Sequence, residues 1–132
     1  MLDTKICIFT IKNRPPWVRE AFKRHHGQGC ISTVALMELI YGAEKSSNPE
    51  QNLANVQGFA ACLDVLDYDQ AAAAHSGQIR AELARAGRPI GPCDNMIVGH
   101  ARSPGLTIIT NDRGEFDRVV GLRIEDWARP VV

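Results

Sequence analysis

One stretch limits the fold of this chain more than any other. It runs Gly91-Pro92-Cys93-Asp94-Asn95-Met96-Ile97-Val98-Gly99-His100-Ala101, then Ser103-Pro104-Gly105, then Leu106-Thr107-Ile108-Ile109-Thr110-Asn111-Asp112. The order reads as helix, turn, strand. Pro92 suits the first turn of a helix, and Ile97, Val98 and Ala101 follow at helical spacing. They share a face with Asp94, which places a carboxylate at the head of an apolar stripe and directs it to the core side. Ser103, Pro104 and Gly105 end the helix. Leu106 to Ile109 is a short apolar run, as in a strand of a parallel sheet buried on both faces. Asp112 lies just past its end. Two carboxylates are thereby set near one edge of an α/β layer, the carboxyl edge at which open sheets bind ligands.

At 132 residues the chain has the size of one domain, spanning residues 1–132, with room for a real core. Its hydrophobic content of 45% with 23% charged residues is that of an ordinary globular protein. No apolar run approaches the roughly 18 residues of a membrane span, and the start lacks a signal-peptide pattern, so the expected location is cytoplasmic. Cys7, Cys30, Cys62 and Cys93 stand far apart, without a Cys-x-x-Cys pair, and are expected to be reduced core residues. Net charge is zero. Committing four of the 15 acids to one pocket would leave an excess of four positive charges elsewhere, a modest attraction for a polyanion.

Met1-Leu2 begins a strand with almost no length before Asp3, which predicts a first strand cut short or a start that lies a few residues further back. Pro16 to His26 reads as a basic helix, with Trp17, Val18, Ala21 and Phe22 against the core and Arg14, Arg19, Lys23 and Arg24 toward solvent. Those cations serve equally as a solvated face or as a grip on phosphate. Cys30-Ile31 is a second short strand, and Ser32 or Thr33 caps the helix from Val34 to about Lys45. Glu38 is the one polar residue in its first ten, with Ala35 and Gly42 leaving its face without bulk. A carboxylate so placed is either the edge of an ordinary amphipathic helix or part of an open, acid-lined cleft.

Asn48 and Pro49 restart a helix whose stripe is Leu53, Val56, Ala60 and Leu63. Val65 to Tyr68 is a third strand. Asp69 opens an alanine-rich helix that stops at Gly87, with Arg80, Arg85 and Arg88 toward its end. The helix dipole alone accounts for those arginines, which are also available to phosphate. Arg113 to Val119 forms a short helix, and Leu122 to Ile124 a last strand. No repeat or low-complexity segment occurs.

Strands separated by helices argue a parallel sheet with helices on its faces. Asp3 and Asp112 both follow strands and fall on the carboxyl edge, Asp94 heads a helix, and Glu38 faces inward from another. Four acids converging without His or Cys partners suit a hard cation such as Mg²⁺ or Mn²⁺, whereas zinc prefers softer ligands. Such a site activates water and offsets the charge that builds on a phosphodiester. None of His25, His26, His75 and His100 stands at a telling distance from an acid, so no general-base histidine is expected.

These residues carry a resemblance. Met-Leu-Asp-Thr at the start, Met-Glu-Leu-Ile-Tyr-Gly-Ala around Glu38, Gly-Pro-Cys-Asp around Asp94, Thr-Asn-Asp-Arg-Gly-Glu-Phe around Asp112 and the closing Gly-Leu-Arg-Ile-Glu-Asp-Trp resemble the acidic motifs and tail of the PIN-domain ribonucleases, and more closely the VapC toxins of bacterial toxin–antitoxin pairs. Each motif is weak alone. Four in order are specific, and they cover essentially the whole chain. The resemblance implies a five-stranded parallel sheet between helices and Mg²⁺-dependent cleavage of structured RNA, commonly a tRNA anticodon loop. Asp3, Glu38, Asp94 and Asp112 would be the metal-site acids, with Thr4 and Thr110 as hydroxyl support. It also implies a homodimer held inactive by a VapB-type antitoxin in a higher-order complex, with operator DNA bound through the antitoxin.

Lys5 departs from the family pattern, which has a small polar residue there. In a continuing strand its ammonium would leave on the same face as Asp3 and compete with the metal; in a helical turn it would swing to solvent or onto a phosphate. Two rival readings follow. One is a binding module of the same fold whose chemistry Lys5 has weakened. The other is a phosphatase or phosphoacceptor domain with an acidic pocket, against which Lys5 stands, because such phosphatases need a second Asp at that position.

Overall fold

The computed structural model describes residues 1–12, 16–25, 27–111 and 113–127, apart from the side chains of Pro16, Trp17 and Arg19. Its helices are α1 (Thr4–Lys12), α2 (Pro16–Arg24), α3 (Thr33–Glu44), α4 (Pro49–Ala60), α5 (Gln70–Arg85), α6 (Pro92–Arg102) and α7 (Arg113–Phe116). The strands are β1 (Cys30–Ser32), β2 (Asp64–Leu66), β3 (Thr107–Ile109) and β4 (Arg123–Glu125). Capping follows the sequence closely. Ser32 Oγ accepts the Val34 N–H, Asn48 Oδ1 that of Gln51, and Asp69 Oδ1 that of Ala72. Each such cap contributes about 1 kcal/mol.

All strand pairs are parallel. β1 pairs with β2 in the register Cys30↔Asp64, and β3 with β4 in the register Thr107↔Arg123. Leu2 joins the two pairs. It bridges Ile109 in parallel, and its N–H donates to the Cys30 carbonyl at 2.9 Å. The Asp3 N–H donates to the Ile109 carbonyl at 2.9 Å, and the Ile109 N–H to the Met1 carbonyl at 2.7 Å. The layer therefore runs β2, β1, Leu2, β3, β4, with the expected fifth strand present as a single bridging residue. The chain turns helical at Thr4 because the Asp3 carboxylate caps α1, its Oδ1 accepting the Ile6 N–H at 2.9 Å.

Some expected strand limits shift. Val65 to Tyr68 was too long: Tyr68 leaves the ladder because its N–H is bonded to the Thr33 hydroxyl and its ring turns inward. The last strand sits one residue later than expected, at Arg123–Glu125, and α7 stops at Phe116, so Val119 belongs to the following turn. The second helix ends at Arg24; His26 and Arg14 lie outside the described residues.

Leu2, Ile6, Ile31, Ala35, Ile97 and Ile108 are buried in one core, where the sheet meets α1, α3 and α6. A second cluster joins Ile79 and Leu83 of α5 to Val98, Phe116 and Val119. The α5–α6 crossing is unusually close. A Cβ on Gly99 would lie 2.7 Å from the backbone of Ser76, so only glycine fits. Cys7 and Cys30 are buried as expected, but Cys62 is exposed and Cys93 half-buried. Among the described residues no helix is long and apolar enough to cross a membrane.

Candidate active site

Asp3 is positioned by the shortness of its strand. It is only 3% exposed, and both carboxylate oxygens are engaged: Oδ1 caps α1, and Oδ2 accepts the Thr110 hydroxyl at 2.5 Å. A buried carboxylate is tolerable only with such partners. Thr110, fully buried, has its own N–H on the Glu125 carbonyl, so the end of β3 and the paired end of β4 both hold it in place.

Glu38 projects from α3, half-buried. The Thr4 hydroxyl donates to its Oε1 at 2.6 Å, which draws the first turn of α1 onto the second turn of α3. Gly42 leaves open space beside it, and Glu38 lines a cavity of about 430 Å³ together with Ile8, Ile11, Leu39, Gly42 and Val56. Gly42 leaves that side of Glu38 open, whereas Ala35 is packed in the core, and Glu38 is the one acid on the cavity among the described residues.

Asp94 lies in the first turn of α6, where the helix dipole favours an anion. Its surroundings outweigh that preference. Burial raises its pKa from 3.8 to about 6, the negative charges of Glu115, Asp3 and Glu38 push in the same direction, and the Lys5 ammonium opposes them. The three sequence-predicted acids Asp3, Glu38 and Asp94 thus share one electrostatic field. Asp112, the fourth, lies outside the described residues.

The structure adds two residues. Glu115 in α7 bears on Asp94 and accepts the Gly91 N–H at 3.3 Å, at the point where α6 begins. Its place three residues beyond Asp112, at helical spacing, was the available signal. Cys93 stands beside Glu38: burial raises the thiol's pKa first, then the charges of Glu38 and Asp94, with a hydrogen bond to Glu38 as well. The site therefore has a sulfur neighbour, where acids without Cys partners were expected. Adjacency to Asp94 in sequence did not reveal it, because neighbouring helical positions point about 100° apart.

Lys5 is not on a strand. It sits exposed in the first turn of α1, and its charge acts on Asp94. Lys23 and Arg24 are exposed in the last turn of α2; Arg80 and Arg85 are exposed on α5, and Arg88 just beyond it. Arg80 lines a cavity of about 590 Å³ with Tyr68, Leu83, Ile90 and Met96.

Oxygen donors with surplus negative charge are the chemistry a hard cation requires. Among the described residues, however, no three His, Cys, Asp or Glu donors stand close enough together to enclose an ion. Asp112, the fourth predicted acid, lies outside the described residues and does not enter that comparison.

The comparisons with known proteins agree with this geometry. The PIN domain family model matches residues 1–122. The chain is 68% identical to the tRNA(fMet)-specific endonuclease VapC of Shigella flexneri over 97% of each chain. It is 46% identical to Ribonuclease VapC2 of Haemophilus influenzae over 96% of each. Among solved structures it is similar to DNA-bound VapBC from Salmonella typhimurium, with a TM-score of 0.92 and 62% identity over 96% of each chain. VapBC2 from Rickettsia felis bound to a promoter DNA fragment gives a TM-score of 0.90 at 32% identity, covering 96% of this chain and 97% of that one. The one-residue central bridge, the acids gathered at its carboxyl edge and likeness along nearly the whole length place this chain in the PIN-domain family, among its VapC members.

Proposed function

We propose that this protein is a divalent-metal-dependent endoribonuclease, the toxin of a toxin–antitoxin pair, which hydrolyses a phosphodiester in a structured tRNA. The observation that carries the reading is the state of Asp94. A carboxyl pushed up to about 6 by burial and by three neighbouring acids is a group waiting for a cation. Glu38 and Asp94, with Asp3 and Asp112, would hold Mg²⁺, or Mn²⁺ in its place. When bound, the ion supplies charge neutralisation at the phosphate and activation of the attacking water.

The chain's own residues do the rest. Thr110 and the Ile6 N–H fix Asp3, so its carboxylate needs no reorganisation when the site fills. Thr4 orients Glu38 by its hydroxyl. Asp94 gives up the proton it holds below about pH 6 when the site is loaded. Two relatives at 68% and 62% identity are named for tRNA(fMet), which makes initiator tRNA the substrate to try first, with the anticodon loop as the expected point of cleavage. Exposed Lys23, Arg24, Arg80, Arg85 and Arg88 are available to its phosphates.

The solved VapBC complexes, two of them bound to DNA, support a VapB-type antitoxin as partner; the toxin homodimer, and operator DNA reached through the antitoxin, are part of the same proposal. Membership of the PIN family sets aside the phosphatase and phosphoacceptor readings. A second reading stays specific to this chain: the Lys5 charge beside Asp94 takes up part of the attraction meant for the metal, weakening catalysis without ending it. The test is cleavage of initiator tRNA with Mg²⁺, with Mn²⁺ and in excess EDTA. Cleavage that survives EDTA ends the metal mechanism.

A further inference from the structure

His100 has no part in the acid cluster, yet it is 5% exposed and its Nδ1 lies 2.8 Å from the Ser32 hydroxyl, itself fully buried. Ser32 ends β1 and caps α3, where its oxygen already accepts the Val34 N–H at 3.0 Å. A hydroxyl has one hydrogen. With the cap using one oxygen lone pair, the hydroxyl keeps its hydrogen and a second lone pair for the bond with Nδ1. Burial favours the neutral ring against the pull of Asp69 and Asp67. Tyr68 packs edge-on against the imidazole at 5.6 Å between ring centres, and its hydroxyl donates to Ser76 Oγ at 2.9 Å. Asn95, next to Asp94, donates in turn to the Ser76 carbonyl at 2.9 Å.

The positions along the two helices matter. Ser32 stands six residues before Glu38, and His100 six residues after Asp94. Ser32 touches His100 at one end of the α3–α6 contact, and the Glu38 charge bears on Cys93 and Asp94 at the other, so α3 and α6 run antiparallel past one another. Six residues of α-helix rise about 9 Å, so equal offsets in opposite chain directions bring Glu38 and Asp94 to one level. Axial slip of α3 against α6 would carry those carboxylates out of level with one another. At the distal end the two helices are joined by the Ser32–His100 hydrogen bond, which has a preferred length and angle where apolar contacts have none.

We propose that His100 is a positioning residue of the nuclease: through Ser32 it sets the axial register of α3 against α6, and thereby the separation of Glu38 and Asp94 at which the cation is bound. The inference rests on the reading of those two acids as cation-holding groups. His100 touches neither substrate nor metal in this role, and its effect reaches the site through the helix that Ser32 caps.

The discriminating pair is His100→Asn and His100→Gln. An asparagine amide reaches the place of Nδ1 and keeps the bond to Ser32; glutamine carries its amide one carbon further and cannot. With Mn²⁺ alone as the probe, titrated into folded protein, His100→Asn should bind within about twofold of wild type. His100→Gln should bind about tenfold more weakly at matched circular dichroism. Ser32→Ala in the His100→Gln background should lower Mn²⁺ affinity little further, because the contact with His100 is already gone, while the lost α3 cap shows in overall stability instead. Equal Mn²⁺ affinity for wild type and His100→Gln overturns the proposal, as does equal weakening by Asn and Gln, which would make the histidine a matter of packing. If His100→Gln does not fold, Ser32→Ala alone takes its place, with wild-type Mn²⁺ affinity counting against the proposal. Glu38→Gln is titrated alongside. Wild-type affinity in that variant would overturn the cation reading itself and the register proposal with it. Lost affinity there, with full affinity in His100→Gln, overturns the register proposal alone.

Discussion

The two ends of α6 solve opposite problems. At its start Asp94 is half-buried among Glu115, Asp3 and Glu38, opposed among the described residues by the Lys5 charge, and its carboxyl is pushed up to about 6. Near its close His100 is more deeply buried, yet its ring is satisfied by Ser32 and enclosed by Tyr68. A polar group in the interior is costly when its partners are missing and inexpensive when they are present. One helix thus carries a satisfied end that anchors and a frustrated end that binds. The frustration at Asp94 persists because the anchored end and the tight α5–α6 crossing hold the helix in place.

The harshest way to break this comparison is to relieve the frustrated end. Asp94→Asn keeps the shape and removes one charge; it should lower RNA cleavage by about a thousandfold or more, equivalent to about 4 kcal/mol, while the fold is retained. Cleavage assays with circular dichroism decide it, and near-normal turnover would show that Asp94 does not take part.

Breaking the anchored side comes next. Gly99→Ala forces a Cβ into the Ser76 backbone, and should reduce stability by about 1–3 kcal/mol in urea unfolding. An unchanged midpoint would mean that the crossing is looser than its distances imply. Charge reversal at Arg85 and Arg88 leaves both ends of α6 alone. It should weaken binding of every RNA by about tenfold, lower the salt dependence of binding and spare Mn²⁺ uptake. Binding that is insensitive to salt to begin with would remove the basic residues from the substrate surface.

Lys5→Asn sharpens the comparison, because it takes away a favourable charge that the structure places on Asp94. Lys5 is exposed and its charge is screened, so the effect is small: Mn²⁺ affinity should rise about threefold, with faster cleavage. Unchanged metal affinity with slower cleavage would make Lys5 a contact for RNA instead.

The smallest effect is on stability against pH. The folded, metal-free protein holds the Asp94 proton more tightly than the unfolded chain does. This group's contribution to stability is therefore fully present below the unfolded value of 3.8 and lost as pH rises through about 6. Asp94→Asn lacks that loss. Measured in EDTA, it should gain stability relative to wild type between pH 5 and pH 7.5. His100, whose neutral form is favoured by burial, is present in both proteins and cancels. A constant difference across that range would show that Asp94 is not strained.

Much of this was legible from the order of residues. Asp3 stands directly after the Met1-Leu2 strand, and Glu38 interrupts an apolar helix, where a carboxylate is costly unless it has partners. The caps at Ser32, Asn48 and Asp69 are local and could be read directly. Long-range partners could not. Ser32 and His100 are 68 residues apart, and nothing in spacing says that they meet. Cys93 was read as core because cysteine usually is, and only the approach of α3 to α6 shows its thiol beside Glu38. Tyr68 continued a strand pattern on paper, until a side-chain acceptor on Thr33 took its N–H from the ladder.

The bridge at Leu2 has a consequence in time. Asp3 reaches Thr110 across 107 residues of chain, and closing a loop of that size costs about 4 kcal/mol of chain entropy. Synthesis runs from the N-terminus at about 5–20 residues per second, so Asp3 leaves the ribosome seconds before its partner exists. The first acid to be made is among the last to be seated. Nascent chains that end before Thr110 carry Asp3, Glu38 and Asp94 but lack the hydroxyl that holds Asp3 Oδ2 in the finished fold.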